Sequence, residues 1–261
     1  MTRMLLLQNS IIVIVDNNNV QHSNEGQTMK TLGLAAIACL SLSACVTINS
    51  APMGTTSDTT IVTQYPVEAT MLNIYTKARS AELMAIVEGQ TVTADIKVTP
   101  KGAMLFNGKS VQGGEISTIS SLSGQVTNQA VATNYFTLNP LVFHGFTDNT
   151  GIYSVSNQTS SIPKSARVGE SSTFVTDTVY TDQAMSRQLG TYEQRWSLTQ
   201  DSNKTAWFCI GTSGNLLINN DPDSASTECY KINAQGDILA SKVVITQPAE
   251  NGNGTIELMS Q

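Results

Sequence analysis

The alternation of apolar and polar positions along the chain predicts β-strands rather than helices. Between residues 67 and 247, short runs rich in Thr, Val, Ile, Tyr and Phe alternate with turn signals about every ten residues. The predicted strands are Met71–Tyr75, Glu82–Glu88, Thr91–Val98, Ala103–Phe106, Ala130–Leu138, Leu141–Phe146, Ser172–Tyr180, Thr191–Thr199, Thr205–Ile210, Glu228–Asn233 and Asp237–Ile245. Within Thr191–Thr199, one face carries Tyr192, Gln194, Trp196 and Leu198, as a half-buried antiparallel strand requires.

These strands predict an all-β fold, an antiparallel sandwich or barrel with Greek-key or meander connections. Strand and helix patterns do not alternate, which argues against a doubly wound α/β enzyme fold. Two small β subdomains, joined near Ser160–Pro163, are the alternative arrangement. One helix competes with a predicted strand: Met71–Val87 is rich in Ala, Met and Leu, although its apolar positions fit neither period cleanly.

Composition narrows the range of partners. Charged residues make up 13% of the chain, about half the usual fraction, so Ser, Thr, Asn and Gln must supply much of the polar surface. The formal net charge is −6 and the chain has no basic cluster, which argues against nucleic acid or anionic lipid headgroups as electrostatic partners. No apolar run reaches about 18 residues, so no retained transmembrane helix is predicted.

A secretion signal begins at Met29. Lys30 supplies a short basic region, Leu32–Leu40 is apolar but too short to remain in a bilayer, and small residues follow. The sequence Leu42-Ser43-Ala44-Cys45 resembles the lipobox of bacterial lipoprotein precursors. The resemblance implies that the Cys45 thiol receives a diacylglycerol and that signal peptidase II cuts just before it. An apolar core helix ending in Ser-Ala-Cys is the competing interpretation, but the chain becomes Ser/Thr-rich directly after Cys45.

The signal divides the chain into regions. Residues 1–28 are interpreted as an over-extended gene start, because a secretory signal should begin the chain; an unusually long leader is the alternative. Residues 29–44 are the signal peptide. Residues 45–66 form the lipidated cysteine and a flexible tether of about 25 Å. Residues 67–247 form the β-rich domain, and 248–261 are predicted to be a flexible tail.

The resemblance also implies a location. In well-studied enterobacterial lipoproteins, an Asp directly after the lipidated cysteine holds the protein in the inner membrane, whereas this chain has Val46 there. The expectation is an outer-membrane protein anchored by its fatty acyl chains, palmitate among them, with its domain facing the periplasm or the cell surface. The globular part resembles only Gram-negative lipoproteins whose activity is not known, so it implies no activity.

Two cysteines remain in the predicted mature domain, Cys209 and Cys229. An even pair in an oxidising compartment predicts a disulfide, which would contribute about 3 kcal/mol in the chain-entropy model. A metal site is the competing use, but no CxxC occurs and His144 is the only histidine after the signal. We therefore predict no metal site and no cofactor.

The search for catalytic residues finds weak candidates. His144 would have to be the base of any Ser–His–Asp arrangement, but no GxSxG motif accompanies it, and a packed strand histidine is the better interpretation. Carboxylates on or near strands could do acid–base work, as in glycoside hydrolysis, but nothing pairs any two of them. These candidates are Asp177, Asp182, Glu193 and Glu228.

Two further features favour structural interpretations. The segment Asn219–Ser224 offers oxygen ligands for calcium but lacks the spacing of an EF-hand loop, so a polar turn is preferred. Aromatic residues crowd the C-terminal strands, where they could line a ligand cavity or stack on sugars, but core packing explains them without a ligand. They are Tyr192, Trp196, Trp207, Phe208 and Tyr230. P-loop, GxGxxG and HExxH motifs do not occur.

The leading functional expectation is a non-enzymatic, outer-membrane-anchored module for envelope interaction or assembly, with an envelope protein of unknown identity as partner. A lipocalin-like carrier of a small apolar ligand is the first alternative. A carboxylate-based hydrolase of envelope glycans is the second. A closed barrel with an apolar cavity would favour the carrier, and a cleft with two convergent carboxylates would favour the hydrolase.

Replacing Cys45 with Ala should abolish incorporation of labelled fatty acid, because only Cys45 completes a lipobox after an apolar region. Replacing Cys39, which lies inside that region, serves as the control and should leave labelling intact. Persistent labelling of the Cys45 variant would contradict the assignment.

Overall fold

The computed structural model describes residues 3–6, 11–14, 60–213, 225–249 and 252–261. The predicted signal peptide, Cys45, most of the tether and Asn219–Ser224 lie outside the described residues. The predictions made on them therefore stay predictions.

The described residues form sixteen strands and one helix. Four short strands and the helix lie outside the main sheet: β1 (Arg3–Leu6), β2 (Ile11–Ile14), β3 (Gln64–Tyr65), α1 (Val67–Thr76) and β10 (Ala166–Arg167). The main sheet contains β4 (Arg79–Val87), β5 (Gln90–Phe106), β6 (Lys109–Leu122), β7 (Gln125–Leu138), β8 (Leu141–Asp148), β9 (Tyr153–Gln158), β11 (Ser171–Tyr180), β12 (Gln188–Gln200), β13 (Thr205–Ser213), β14 (Ala225–Asn233), β15 (Ile238–Ala249) and β16 (Gly252–Ser260).

Twelve of the described strands close into one antiparallel barrel. Each barrel strand pairs with the next along the chain, β9 pairs with β11, and β16 pairs with β4 to complete the circle. The predicted all-β class is confirmed, and the architecture is a barrel with meander connections. The split near Ser160–Pro163 does not divide two subdomains, because the strands on either side of it pair within one sheet. No described helix is long and apolar enough to cross a membrane.

Side chains alternate between the inside and the outside of the barrel along each strand. In β12 the predicted face of Tyr192, Gln194, Trp196 and Leu198 is buried, and Glu193 and Arg195 on the other face are exposed. Through the strand register, this face continues onto the inward residues of β13, Phe208 among them. The alternation therefore identifies the interior of the barrel.

The prediction for residues 71–75 was wrong. Met71–Tyr75 belong to helix α1, and the alternative helix Met71–Val87 is correct only as far as Thr76, where the chain turns into β4. The helix begins after Pro66, and its buried positions follow a helical spacing that starts at residue 67, before the segment considered from sequence. These positions are Val67, Thr70, Met71, Ile74 and Tyr75.

Helix α1 packs its apolar side into the interior of the barrel at one end. Its buried side chains share one hydrophobic cluster with inward residues of β5 to β8 and β11 to β14. The Tyr75 ring lies 5.8 Å from that of Phe136 and 5.4 Å, edge to face, from that of Phe143. Strand β6 comes so close that a Cβ at Gly114 would lie 2.8 Å from the Tyr75 carbonyl oxygen.

Polar contacts hold α1 in this position. Asn73 donates a hydrogen bond of 3.0 Å to the Gly236 carbonyl in the β14–β15 turn, and Lys77 forms an ion pair with Asp237 in the same turn. On the other side, the Glu68 amide donates to the Pro163 carbonyl. The helix is therefore attached to two separate connections at this end of the barrel.

Three further regions differ from the predictions. Strand β6 was missed because several of its inward side chains are small and polar, Thr118 and Ser120 among them, which weakens the apolar alternation. The interval 248–261, predicted to be a flexible tail, contains β16, which pairs with β15. The predicted tether ends earlier than expected, since Tyr65 is buried in β3, which pairs with β10.

Replacing Gly114 with Ala should lower the free energy of unfolding by about 1–3 kcal/mol, because the added methyl group would overlap the Tyr75 carbonyl and Cβ. Gly211→Ala is the matched control: it also lies within a barrel strand, and its Cβ would meet only ordinary contacts at 3.6 Å or more. Denaturant titration of both variants is the measurement, and equal effects would contradict the close approach of α1 to β6.

Candidate functional site

The interior of the barrel has an apolar half and a polar half. Next to α1 it is filled by the aromatic and aliphatic cluster. Towards the opposite end, polar side chains with less than a tenth of their surface exposed point inwards from several strands. These buried polar residues are Thr118, Ser120, Asn134, Ser154, Asp177, Gln194, Thr212 and Ser226.

Asp177 organises part of the polar half. Its carboxylate accepts a hydrogen bond of 2.6 Å from Gln194 Nε2 and another from the Ser156 hydroxyl. Burial raises the pKa of the nearby Tyr192 hydroxyl well above its ordinary value, and the negative charge of Asp177 raises it further. The carboxylate is thus engaged by hydrogen bonds from both neighbouring strands.

A small cavity lies between strands β4 to β6 and strands β14 and β15. Tyr230 donates a hydrogen bond of 2.9 Å to Glu228 Oε2, and the Arg79 guanidinium lies 5.4 Å from the Tyr230 ring centre. Arg79 also donates to the Ile74 carbonyl at the end of α1, at 2.7 Å. Burial, and then the charge of Glu228, raises the pKa of the Tyr230 hydroxyl well above its ordinary value.

The cavity itself is too small for an organic ligand. It leaves about 20 Å³ for the centres of water molecules, and Leu83, Ile96 and Val243 form its apolar wall. This room suffices for about one water molecule. Arg79, Glu228 and Tyr230 therefore form a packed internal cluster that ties the C-terminal end of α1 to β14.

The four candidate carboxylates do not converge. Asp177 and Glu228 face the interior but are held by different partners on different strands. Asp182 lies in the β11–β12 turn, where hydrogen bonds from Ser186 lower its pKa. Glu193 is exposed on the outer face of β12. Among the described residues, no group of three His, Cys, Asp or Glu side chains could hold a metal ion.

His144 occupies a bulge in β8. Phe143 and Gly145 pair with consecutive residues of β7, so His144 has no opposite residue. Its Nε2 is buried and has no hydrogen-bond partner among the described residues. Burial lowers the pKa of the imidazole, and the positive charge of Lys109 lowers it further. This position favours a neutral, packed imidazole rather than a catalytic base.

The predicted disulfide joins two neighbouring strands. Cys209 of β13 and Cys229 of β14 are direct partners in the register, with Cα atoms 4.0 Å apart. Their neighbours Phe208 and Tyr230 face the interior, so both sulfur atoms lie on the outer face of the barrel. The bond closes the hairpin whose connection lies outside the described residues.

The aromatic residues divide between the two faces. Four of the five crowded aromatics face the interior and are buried: Tyr192, Trp196, Phe208 and Tyr230. Trp207 lies outside, where its Nε1 donates a hydrogen bond of 3.0 Å to Asp201 and Lys242 Nζ lies 5.0 Å from the ring centre. The interior aromatics pack against other side chains, as the core-packing interpretation predicts.

Sequence reasoning missed the residues that define the exterior. The end of the β5–β6 hairpin, residues 102–112, which we call the hairpin arm, bends at a register shift between Pro100 and Gly102 and lies over the outer face of β7 to β9. Phe106 on this arm stacks on Tyr135 at 4.3 Å and on Tyr153 at 5.2 Å. The sequence predicted one strand of this arm, Ala103–Phe106, but not its partner on β6 or its position over the outer face.

The comparisons with known proteins add no relative to this description. No protein-family model matches the chain, and no curated protein or solved structure matches it.

Acidification should destabilise the protein through His144. Because the folded-state pKa lies below the ordinary value of about 6.5, the stability due to neutral His144 is fully present above that value and decreases as the pH falls below it. When the pH is lowered from 7.5 to 5.5, the melting temperature of the wild type should therefore decrease more than that of the His144→Gln variant. Equal losses in the two proteins would contradict the role of His144.

Proposed function

We propose that this protein is a non-enzymatic interaction module of the bacterial envelope, held on the outer membrane by a lipid at Cys45. The observation that carries the proposal is the filled interior of the barrel. With α1 and the aromatic cluster in one half and buried polar side chains in the other, some of them hydrogen-bonded to each other, we assign partner binding to the outer surface.

The same observation weighs against the two alternatives. A lipocalin-like carrier needs an apolar chamber of several hundred Å³, whereas the cavity beside Arg79 has room for about one water molecule. A carboxylate-based hydrolase needs two carboxylates that face one substrate, whereas Asp177 and Glu228 are engaged separately inside the barrel.

The path of the chain suits a tethered domain. Residues 60–66 run along the end of the barrel that α1 closes, where the Val62 amide donates to the Asn203 carbonyl and the Val168 amide to that of Thr63. The meander topology places the β4–β5 and β6–β7 turns at the opposite end. A lipid attached before residue 60 would therefore leave the sides and the far end of the barrel open to a partner.

Site-specific photo-crosslinking in the native envelope tests this proposal. A photoreactive residue is placed at exposed outer positions spaced around the barrel, in the lipidated protein and in Cys45→Ala. We expect at least one outer position to crosslink one defined envelope protein, and the adduct to decrease strongly in the unlipidated variant because the domain is no longer held at the membrane. Photoreactive residues at the inward positions Phe208 and Trp196 are the controls and should give no adduct. Absence of any protein adduct from the outer positions would contradict the proposal.

A further inference from the structure

The barrel has two places where neighbouring strands are joined by few backbone hydrogen bonds. Between β8 and β9, the register has a single described pair, Thr147 with Tyr153. Between β16 and β4, it has two, Met259 with Met84 and Ser260 with Leu83. An incompletely paired strand leaves donors and acceptors that another extended chain could use.

We call these two places seams. At the first, between β8 and β9, other parts of the chain supply the missing contacts. Side chains of β9 replace missing backbone contacts: Ser154 Oγ accepts from the Phe146 amide at 2.8 Å, and Gln158 Oε1 accepts from the Phe143 amide at 3.0 Å. The hairpin arm then covers the outside, where a Cβ at Gly145 would lie 2.9 Å from the Phe106 ring. These contacts protect the described part of this seam from another chain.

The second seam, between β16 and β4, lies beside exposed apolar side chains. We call the outward residues Met84, Ile86, Ile119, Val126 and Met259 the seam patch. Ile86 is 77% exposed, Val126 67%, Met259 41% and Ile119 36%. These are among the most exposed large apolar side chains of the described chain, whereas Met84 is half-buried.

The strand register shows that the seam patch is one continuous surface. Met259 is opposite Met84, and successive direct partners lead from Met84 through Thr93 and Ser121 to Val126. Side chains of direct partners lie about 4.5–5.5 Å apart. This row crosses five strands without a charged residue, and a clustered apolar surface of this kind is typical of a binding site.

An acidic pair borders the seam patch. Glu82 and Asp95 are direct partners on the same outer face, and Asp95 is in turn opposite Ile119. Both side chains are exposed, and the four ion pairs between described residues include neither of them. Like charges placed directly opposite each other destabilise a sheet, and the exposed Lys97, two positions along β5 on the same face, supplies one cation for two carboxylates. The remaining negative charge favours a partner that brings positive charge.

We infer that the seam between β16 and β4, together with the seam patch, binds an extended segment of a partner protein. In this segment, apolar side chains alternate with other side chains, and Lys or Arg lies next to the apolar ones. Its backbone meets the incompletely paired edge of β4, its apolar side chains cover Met84 and Ile86 of β4, and its cation faces Glu82 and Asp95. This inference rests on the proposed function and specifies the surface and the chemistry of its partner.

The acidic pair distinguishes this partner from other occupants. An anionic lipid surface would be repelled by Glu82 and Asp95, and the net charge of −6 adds to that repulsion. A second copy of the chain would bring its own acidic pair to the contact. A basic, extended polypeptide meets both the apolar and the charged parts of the surface.

The test uses the full chain and three synthetic probes. The first is a ten-residue peptide that alternates Val and Thr, with Arg at both ends; the second has Glu instead of Arg; the third has the Arg ends but an N-methylated backbone. We expect the first to bind and to shift the amide resonances of β4 and β16. Both other peptides should bind about tenfold more weakly, and the preference between Arg and Glu should shrink at high salt. Failure of the first peptide to bind at millimolar concentration would overturn the inference.

Variants localise the binding. Ile86→Ser should weaken it about tenfold, whereas Leu105→Ser, which changes an equally exposed residue on the hairpin arm, should not. Glu82→Lys with Asp95→Lys should reverse the preference towards the Glu peptide, whereas the exposed Glu193→Lys should leave it unchanged. Binding that is insensitive to Ile86→Ser or to the charge reversal would overturn the inference.

A second copy of the chain or a membrane bound to the seam patch would give different results in these experiments. Ile86-dependent dimerisation in sedimentation would show that a second copy uses the surface, and Ile86-dependent binding to phosphatidylglycerol vesicles would show that a membrane does; each would overturn the inference. If peptide binding fails while outer positions away from the seam patch still crosslink an envelope protein, the inference fails and the proposed function stands. If no outer position crosslinks a protein, the proposed function itself fails.

Discussion

The packing of α1 inside one end of the barrel is the contact on which the rest of the structure depends. A barrel of twelve strands encloses more space than inward side chains of one layer fill easily, and here a helix supplies the missing apolar volume. Tyr75 reaches Phe136 and Phe143 on the barrel wall, and Gly114 provides the room for that approach. Because this end is filled with side chains of the described residues, the proposed function assigns recognition to the outer surface.

Closure of the sheet imposes the second constraint. Strands that pair poorly must be protected from other chains, and the protein protects the β8–β9 seam with Ser154, Gln158 and the hairpin arm. Elsewhere in the sheet, the Cys209–Cys229 disulfide ties β13 to β14 on the outer face. The β16–β4 seam has neither a covering arm nor a disulfide in the described structure. The unequal treatment of the two seams is what distinguishes one side of the barrel from the other.

Local sequence signals predicted much of the fold. The alternation in Thr191–Thr199 follows from neighbouring residues, and the structure confirms it. The pairing of Cys209 with Cys229 was predicted from an even pair of cysteines in an expected oxidising compartment, and the disulfide is present. Strand β6 was missed because Thr118 and Ser120 face a polar interior, so burial there does not coincide with hydrophobicity. Residues 71–75 were predicted as a strand, with a helix only as the alternative, because a ten-residue segment with five buried positions carries too few repeats to distinguish the two periods.

The candidate surface was beyond sequence reasoning for a different reason. Met84 and Met259 lie far apart along the chain and become neighbours only when the barrel closes. The acidic pair likewise depends on the register that places Glu82 opposite Asp95, and a shift by one residue would send both side chains to the other face. Such surfaces exist only in the assembled sheet.

Native-state hydrogen exchange of the α1 amides tests the central claim most directly, because it measures how often the helix leaves the barrel. If α1 permanently fills the interior, the amides of Met71 to Tyr75 should exchange with the same free energy of opening as those of the central barrel strands, since both require global unfolding. Exchange of α1 through a separate opening of much lower free energy, with the strands still protected, would show that the helix moves out of an intact barrel. The interior would then be an accessible chamber, and the assignment of recognition to the outer surface would be wrong.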